Sequence, residues 1–289
     1  MHDADQRGLF VQTACEWEVR ARKPGNVHPG ANFTGTTVQH FLDSAAAIRG
    51  PLTSGLAVGP AILAAVEATR AAVGQNTNLG IVLLLAPLAA VPMNVPLRTG
   101  VRDLLNGLTV ADAGAAFRAI RLAAPGGLGD VPDQDVNAAP TVTLLEAMSL
   151  AADRDRIASQ YSTGFADVFD FGVPKLVEGF ERFGSAEAAI IHSHLAWLAA
   201  FPDSLIARKK GGMVAMEVRM RAASVMSLGG IATPNGRAAA IAFDDYLRSD
   251  GNKLNPGTTA DLIAASLFVA LRNGMLNVGD AFVWNERWL

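Results

Sequence analysis

The apolar residues of this chain recur mainly every three or four positions, which is the spacing of an amphipathic α-helix. The segment 9–22 shows this pattern, because Phe10, Ala14 and Trp17 fall on one helical face. Pro24 follows closely, and a proline in this position predicts that the first helix ends by residue 23. The chain is therefore predicted to open with a helix that packs one face against a core.

The same spacing predicts helices along most of the chain. They cover residues 38–49, 55–73, 77–91, 109–122, 154–170, 174–183, 185–200, 212–228, 235–249 and 259–272, with a further helix opening at Thr143. No region alternates apolar and polar residues between hairpin turns, as a β-strand would. The predicted fold is all-α, a single large helical bundle-like domain over residues 1–289.

Short capping motifs mark the start of several predicted helices. Thr109 with Asp112, and Thr143 with Glu146, have the spacing of a capping box, in which two side chains satisfy free backbone N–H groups. Residues 125–140 lie between these two starts and form the longest predicted loop. This loop is the best candidate for a lid or for a boundary between two lobes.

The most apolar stretch, residues 79–93, is predicted to be a buried core helix. It is shorter than the roughly 20 residues that a helix needs to span a bilayer. It also contains Pro87 and Pro92. Membrane association is the minor alternative for this segment.

Composition and charge narrow the function further. Half of the residues are hydrophobic and 18% are charged, which is enough apolar material for a substantial core. The net charge of −3 gives no overall attraction for nucleic acid or for an anionic membrane. Cys15 is the single cysteine, which excludes an internal disulfide and fits a reducing compartment. The N-terminus lacks the features of a signal peptide, so the expected location is the cytoplasm.

Five polar clusters are notable, four of them where predicted helices begin or end and one within a predicted helical region. The first, residues 18–28, brings Glu18, Lys23 and Gly25 together at a helix end. A lysine beside a glycine suits a phosphate, because glycine lets the ligand approach the backbone. The alternative is that the cations of this segment only offset the negative end of the helix dipole.

The second and third clusters place polar residues in apolar surroundings. Asn76, Thr77 and Asn78 precede the most apolar helix, where polar side chains are costly unless they bond to one another, to helix N–H groups or to a ligand. Simple N-capping explains only one of them. The third cluster, residues 161–167, contains Gly164, and a glycine inside a helix lowers the stability of the helix by about 1 kcal/mol. Gly164 therefore marks a helix break, a close ligand approach or a packing contact between crossing helices.

The fourth and fifth clusters also precede helices. Arg208 and Lys209 come shortly before two glycines, an arrangement that suits a polyphosphate; a solvated basic turn is the alternative. In the fifth cluster, Thr258 and Asp261 have the spacing of another capping box. The free N–H groups of such a helix start form an anion site if capping does not use them all.

Several enzyme classes are disfavoured by what the sequence lacks. His192 and His194 would point about 200° apart on a helix, so they do not suit one metal ion. The chain contains no P-loop, no Gly-x-Gly-x-x-Gly and no Gly-x-Ser-x-Gly motif. Zinc hydrolases, P-loop kinases, Rossmann dehydrogenases and serine hydrolases are therefore not expected.

Taken in order, these clusters resemble the motifs of the triphosphoribosyl-dephospho-CoA synthase family. The similar segments span about residues 13–272, nearly the whole chain. They are Glu18 with Lys23-Pro24-Gly25-Asn26-Val27-His28, then Asn76-Thr77-Asn78-Leu79-Gly80, Thr163-Gly164-Phe165, Arg208-Lys209, and Asn255-Pro256-Gly257-Thr258-Thr259-Ala260-Asp261-Leu262. Each motif is weak alone, but five in register are fairly specific.

The resemblance implies an all-helical transferase that joins ATP to 3′-dephospho-CoA and expels adenine. The product is 2′-(5″-triphosphoribosyl)-3′-dephospho-CoA, the precursor of the prosthetic group of citrate lyase or malonate decarboxylase. The implied partners are these small molecules, with Mg²⁺ bridging carboxylates and phosphate oxygens. The oligomeric state is left open, with a homodimer among the options.

Site residues also follow from the resemblance. The predicted catalytic carboxylates are Glu18, Asp167 and Asp261, and Glu18 and Asp261 are also the predicted magnesium ligands. Lys23, Arg208 and Lys209 are expected to hold the triphosphate. The full predicted nucleotide- and cofactor-binding set is Lys23, Gly25, Asn76, Thr77, Asn78, Gly164, Arg208, Lys209 and Thr258.

The second motif departs from the family pattern. The better-known synthases tend to read Asn-Thr-His-Lys-Gly, whereas this chain has Asn78 and Leu79 in place of the histidine and lysine. A divergent enzyme that uses another phosphorylated cofactor precursor, for example in tetrahydromethanopterin-type one-carbon metabolism, is therefore an alternative. A non-catalytic helical scaffold is the alternative from a different class.

Overall fold

The computed structural model describes residues 3–124 and 136–285, and within these ranges it contains helices but no β-strand. The fourteen α-helices of the described residues are α1 (Asp3–Arg20), α2 (Val38–Thr53), α3 (Val58–Val73), α4 (Leu79–Ala90), α5 (Leu97–Asn106), α6 (Val110–Ala123), α7 (Leu144–Ser149), α8 (Arg156–Thr163), α9 (Val173–Phe183), α10 (Ala186–Ala200), α11 (Ser204–Lys210), α12 (Gly212–Ser227), α13 (Pro234–Arg248) and α14 (Gly257–Arg272). The predicted all-α fold is confirmed.

Most helices lie within a few residues of their predicted bounds, and the capping boxes that open α6 and α7 are present. The predicted helix over 154–170 is interrupted, because α8 ends at Gly164 and a short π-helix follows at Val168–Gly172. Helices α5 and α11 were not predicted from the sequence. Arg208 and Lys209, predicted to precede a helix, lie in the last turn of α11. Most of the predicted loop over 125–140 lies outside the described residues.

Two helices that are apolar on nearly every side, α4 and α14, form the centre of the fold. In α4 only Gly80 and Ala90 are not buried, whereas a surface helix would bury one stripe. Arg272 closes α14 by donating to the carbonyl oxygens of Val91 and Pro92, each at 2.6 Å, directly after α4. The predicted buried core helix is therefore confirmed. Within residues 3–124 and 136–285, no helix is long and apolar enough to cross a bilayer.

Helix α10 contributes to two apolar clusters and so connects two parts of the core. Ile190 and Trp197 belong to the large cluster around α4 and α14. Ile191 and Leu195 belong to a second cluster with α11, α12 and α13. Because this helix is buried along almost its whole length, both parts are held in one packed arrangement.

A buried aspartate joins the starts of α11 and α14. One oxygen of Asp203 accepts from the backbone N–H of Leu205 at 2.9 Å, and the other accepts from the N–H and hydroxyl of Thr259, both at 2.8 Å. Such charge-assisted caps satisfy N–H groups that a helix start leaves free. The contact fixes the starts of α11 and α14 side by side. These two helix starts, the starts of α4 and α8, and the end of α1 surround one cleft.

Candidate active site

A large cleft lies where α1 ends and where α4, α8, α11 and α14 begin. Its volume is about 1190 Å³, which exceeds the range of roughly 300–1,000 Å³ typical of a site for one drug-sized ligand. Nine predicted site residues line it, namely Glu18, Asn76, Thr77, Asn78, Asp167, Arg208, Lys209, Thr258 and Asp261. Motifs far apart in the sequence therefore meet in one place.

Asp261 is a carboxylate of the cleft without a partner in the described ranges. Among the described residues, no side chain or backbone group forms a hydrogen bond or ion pair with it, although it lies in the first turns of a buried helix. Burial and the charges of Glu18, Asp203 and Asp155 raise its pKa well above the usual range, and Arg208 opposes this shift. An unpaired carboxylate with a raised pKa is suited to accept a proton from a substrate.

The predicted capping box of Thr258 and Asp261 is wrong. Helix α14 begins at Gly257 with Pro256 before it, so Asp261 lies too far into the helix to cap it. The hydroxyl of Thr258 instead accepts from the backbone N–H of Leu205 at 3.2 Å and from the hydroxyl of Ser204 at 3.0 Å. Thr258 thus joins two helices at the edge of the cleft, and Asp261 is left free to face the cleft.

Lys23 does not lie where the sequence predicted. It is fully buried and is not among the residues that line the cleft. Its ammonium group lies 3.0 Å from Glu18 Oε1 and also donates to the carbonyl oxygens of Glu18 and Ala21. Burial lowers the pKa of Lys23, whereas the charges of Glu18 and Glu187 raise it. Because all three of its donors are used inside the protein, Lys23 holds Glu18 rather than a triphosphate.

Glu18 itself reaches the cleft. It is 4% exposed, and Lys23 binds one of its carboxylate oxygens. The second oxygen, Oε2, has no partner within the described ranges. The arrangement leaves one fixed carboxylate oxygen available at the end of α1.

Gly25 is required for packing rather than for ligand approach. Its φ of +77° is in the left-handed region, and a Cβ there would lie 2.7 Å from Leu247 Cδ1 and 2.9 Å from Pro256 Cδ. Its N–H donates to Asp244 Oδ1 at 2.6 Å. Gly25 does not line the cleft, so its predicted ligand contact does not fit the structure.

The loop after Lys23 is tied to the last helices of the chain. The side chain of Asn26 donates to Asn255 Oδ1 at 2.7 Å, and Arg248 donates to the carbonyl oxygen of Asn26 at 2.7 Å. Burial lowers the pKa of His194 to about 3, so the neutral ring donates from Nε2 to the carbonyl oxygen of Pro24 at 3.1 Å. Asn26 and Asn255 both line the cleft, although neither was predicted as a site residue.

The three polar residues before α4 each have a distinct partner. Asn76 Oδ1 accepts from the N–H of Leu79 at 3.1 Å and so caps the helix. The hydroxyl of Thr77 lies 2.6 Å from that of Ser44. Asn78 Oδ1 accepts from Thr69 at 3.1 Å, whereas the buried Asn78 Nδ2 has no partner among the described residues. A buried amide donor at a cleft is available to a ligand.

Gly164 lies outside the cleft lining and ends a helix. It adopts a φ of 64° at the end of α8, and a Cβ there would lie 2.9 Å from Arg102 Cγ. Its predicted ligand contact therefore does not fit its position. Asp167 does line the cleft, but its Oδ2 binds Arg156 at 2.8 Å and Gln160 at 2.9 Å. This pairing makes Asp167 a weaker candidate for a base than Asp261.

One part of the lining carries a group of cations at the start of α8 and in α11. Arg208 binds Asp155 Oδ2 at 3.2 Å, and its buried Nε has no partner in the described parts of the chain. Lys209 is exposed and forms no hydrogen bond or ion pair there. Burial and the charge of Arg208 lower the pKa of Lys209, although Asp203 opposes the shift. Arg154 and Arg156 complete this cationic lining.

The part of the cleft lining formed by α2, α6 and α7 is apolar. These helices contribute an apolar lining that consists of Phe41, Phe117, Ile120, Ala123, Ala147 and Met148, with Phe33 beside them. Aromatic and aliphatic side chains of this kind bind planar bases and alkyl chains. The cleft therefore combines an apolar lining, a cationic lining and several carboxylates, among them Glu18 and Asp261.

The cationic residues Arg154 and Arg156 were not predicted from the sequence as site residues. A signal was present, because Asp153-Arg154-Asp155-Arg156 is an alternating charge run directly before a helix. No group of three or more His, Cys, Asp or Glu side chains suited to a metal ion occurs within residues 3–124 and 136–285.

Comparisons with known proteins agree on one family. The model of the family described as ATP:dephospho-CoA triphosphoribosyl transferase matches residues 4–278. A Pseudomonas savastanoi pv. phaseolicola protein described as a 2-(5″-triphosphoribosyl)-3′-dephosphocoenzyme-A synthase is 28% identical over 46% of this chain and 52% of its own length. A Pseudomonas putida protein of the same description is 31% identical over 38% and 39% of the two chains. The chain thus spans about half or less of these curated relatives.

A solved structure extends the similarity to the fold. The crystal structure of an Archaeoglobus fulgidus protein described as a triphosphoribosyl-dephospho-CoA synthase superimposes with a TM-score of 0.64 at 26% identity. The match covers 81% of this chain and all of the archaeal chain.

Proposed function

Because the chain belongs to the ATP:dephospho-CoA triphosphoribosyl transferase family, we propose that it joins ATP to 3′-dephospho-CoA and releases adenine. The 2′-hydroxyl oxygen of dephospho-CoA attacks C1′ of the ribose of ATP. A C–O bond forms, the C1′–N9 bond breaks, and adenine leaves with the bonding electron pair. The proton lost by the hydroxyl balances the proton gained by adenine, and the triphosphate stays intact.

The observation that carries this proposal is the carboxyl of Asp261, which has no partner in residues 3–124 and 136–285 and lies in a cleft with both cationic and apolar linings. Transfer at an anomeric carbon passes through an oxocarbenium-like transition state and needs a carboxylate near the reacting carbon. Asp261 takes the proton of the attacking hydroxyl. Its raised pKa makes it a stronger base than an ordinary aspartate.

The triphosphate lies against Arg208, Lys209 and Arg154. Lys209 has no ion-pair partner in the described ranges, and Arg208 Nε is a buried donor without an acceptor there, so both have capacity for phosphate oxygens. Charge-assisted hydrogen bonds of this kind are about twice as strong as neutral ones. Lys23 contributes indirectly, by fixing Glu18.

Glu18 fits the role of a magnesium ligand. Glu18 lines the cleft, and its Oε2 accepts no hydrogen bond from the residues that the structure describes. Mg²⁺ is usually held by one or two carboxylates together with phosphate oxygens. When bound, the metal ion supplies positive charge that orients the triphosphate. The aromatic residues Phe33, Phe41 and Phe117 suit the adenine base or the pantetheine arm of dephospho-CoA.

The volume of about 1190 Å³ gives room for two large substrates at once. We also propose that residues 1–289 act as one domain, because the cleft draws on helices from α1 to α14.

One observation favours an acceptor other than dephospho-CoA. Leu79 lines the cleft where the better-known synthases tend to carry a lysine, so a phosphate contact is replaced by an apolar one. The alternative proposal is the same transfer from ATP to another phosphorylated, hydroxyl-bearing cofactor precursor.

Product analysis tests both proposals. The protein is incubated with ATP, Mg²⁺ and dephospho-CoA, and adenine, ADP, AMP and pyrophosphate are separated by chromatography. Adenine without the other three supports the first proposal. Adenine only with a different acceptor supports the second, and ADP or AMP as the main product contradicts both.

A further inference from the structure

Gly80 lies at the second position of α4 and directly contacts the carboxyl group of Asp261. A Cβ at this glycine would lie 2.0 Å from Asp261 Oδ2 and 2.5 Å from Asp261 Cγ. It would also lie 2.6 Å from Ile157 Cδ1. Real side chains do not approach this closely, so any residue other than glycine must displace the carboxyl group.

The backbone gives no other reason for glycine here. Gly80 is not among the residues with positive φ, and it lies within a regular helix. At such a position alanine is favoured over glycine by about 1 kcal/mol in helix propensity. Contacts with neighbouring side chains, the shortest of them with Asp261, therefore explain why position 80 has no side chain.

Asp261 depends on this contact for its position. Within the described ranges it has no hydrogen bond or ion pair that would hold the carboxyl group, so packing alone orients it. The side chain meets the start of α4, where Leu79 N–H is capped by Asn76 and Val82 N–H bonds to the carbonyl oxygen of Asn78. The N-terminal end of a helix carries partial positive charge that favours a carboxylate beside it.

We propose that Gly80 is a positioning residue, whose missing side chain lets the Asp261 carboxyl group lie against the start of α4 and face the reacting hydroxyl. This inference rests on the proposed function, in which Asp261 takes the proton of that hydroxyl. Gly80 does not touch the reacting atoms, and its effect on the rate acts through Asp261 alone.

The kinetic test compares Gly80→Ala with Gly114→Ala. Gly114 lies inside α6, and the nearest atom to its added Cβ is Pro140 Cγ at 4.0 Å, so this variant controls for the change in helix propensity. Gly80→Ala is expected to lower kcat about 100-fold, because a displacement of about 1 Å at a catalytic group has this effect. KM for ATP should stay within about threefold, since the triphosphate contacts are elsewhere. Wild-type kcat in Gly80→Ala, or an equal loss in Gly114→Ala, overturns the proposal.

A second measurement does not depend on turnover. The melting temperature is recorded for Gly80→Ala in the wild type and in an Asp261→Ala background, which removes the displaced group. Gly80→Ala should lower the melting temperature less, or raise it more, in the Asp261→Ala background than in the wild type. The reason is that the effects of substitutions at two contacting residues on stability are not additive. Equal shifts in both backgrounds contradict the contact. Unequal shifts, together with a wild type that forms no adenine from any acceptor, support the contact and refute the proposed function.

Discussion

Removal of the buried ammonium group by Lys23→Met should destabilise the protein strongly. Lys23 is 0% exposed and Glu18 is 4% exposed, and their charged atoms lie 3.0 Å apart. Methionine has a similar length and no charge, so the variant leaves Glu18 buried without its cation. It also removes the donor to the carbonyl oxygens of Glu18 and Ala21.

The expected loss of unfolding free energy arises because Glu18 stays buried without its cation. Breaking a buried ion pair on one side costs about 3–5 kcal/mol, because the other charge stays buried and unpaired. A typical domain has about 5–15 kcal/mol of total stability, so the variant should still fold at low temperature. Removing both charges in Lys23→Met/Glu18→Gln should restore most of the loss, since neutral replacements of a buried pair are often tolerated.

Equilibrium urea unfolding measures this prediction, with tryptophan fluorescence as the signal. The midpoint should fall for Lys23→Met at an unchanged m-value and should recover in the double variant. KM for ATP provides the comparison with the sequence-based expectation that Lys23 binds the triphosphate. A loss of stability below about 1 kcal/mol, combined with a KM for ATP raised about tenfold or more, would refute the buried-pair reasoning.

Three further predictions follow from the same structure. Lys209→Met should raise KM for ATP about 10- to 100-fold, the equivalent of a charged hydrogen bond. Lys175→Met should leave KM for ATP unchanged, because Lys175 is a half-buried residue of α9 that pairs with Glu178 and does not line the cleft. Equal KM values in the two variants would contradict the cationic lining. Asp261→Asn should abolish adenine formation. It should also raise the melting temperature near pH 7, because the pKa of Asp261 is raised in the folded state. Ionisation of Asp261 therefore destabilises the folded protein as the pH rises above 3.8, and asparagine does not ionise. This gain should disappear as the pH falls towards 3.8, and a melting temperature lowered by the substitution at neutral pH would be inconsistent with it. Gly25→Ala should lower the free energy of unfolding by about 2–5 kcal/mol, because positive φ and overpacking both act there. Gly35→Ala, at a φ of +78° with no atom within 4 Å of the added Cβ, should lower it by only about 1–2 kcal/mol, the part due to φ. Equal losses of unfolding free energy in urea would rule out the packing role of Gly25.

The helices could be predicted because their signals are local. Apolar spacing places α3, α4, α9, α10 and α12 close to their observed bounds, and proline or glycine marks the ends. Helix α5 escaped prediction because its short buried stripe of Leu97, Val101 and Leu105 lies among polar residues. The location of the cleft at helix starts also follows from polar residues next to apolar helices.

The direction in which a side chain points was harder to predict. Lys23 beside Gly25 has the local appearance of a phosphate site, but the glycine packs on Leu247 and the lysine points into the core. The glycine contacts come from Leu247 and Pro256, more than 200 positions away, so no local pattern contains them. The partners of Lys23 are close in the sequence, but its burial depends on the tertiary packing around it. Asp261 shows the same limit, because a helix that starts two residues earlier than the pattern suggests turns a predicted cap into a carboxyl group that faces the cleft.

The fate of the γ-phosphate tests the central claim most directly, namely that the cleft transfers the whole triphosphoribosyl group. ATP labelled at its γ-phosphorus is incubated with Mg²⁺, dephospho-CoA and the protein, and the products are separated and weighed by mass spectrometry. Transfer of the whole group should place the label in a condensed product that retains all three phosphates, in an amount equal to the adenine released. Label recovered as inorganic phosphate or pyrophosphate, without a labelled condensed product, would contradict it.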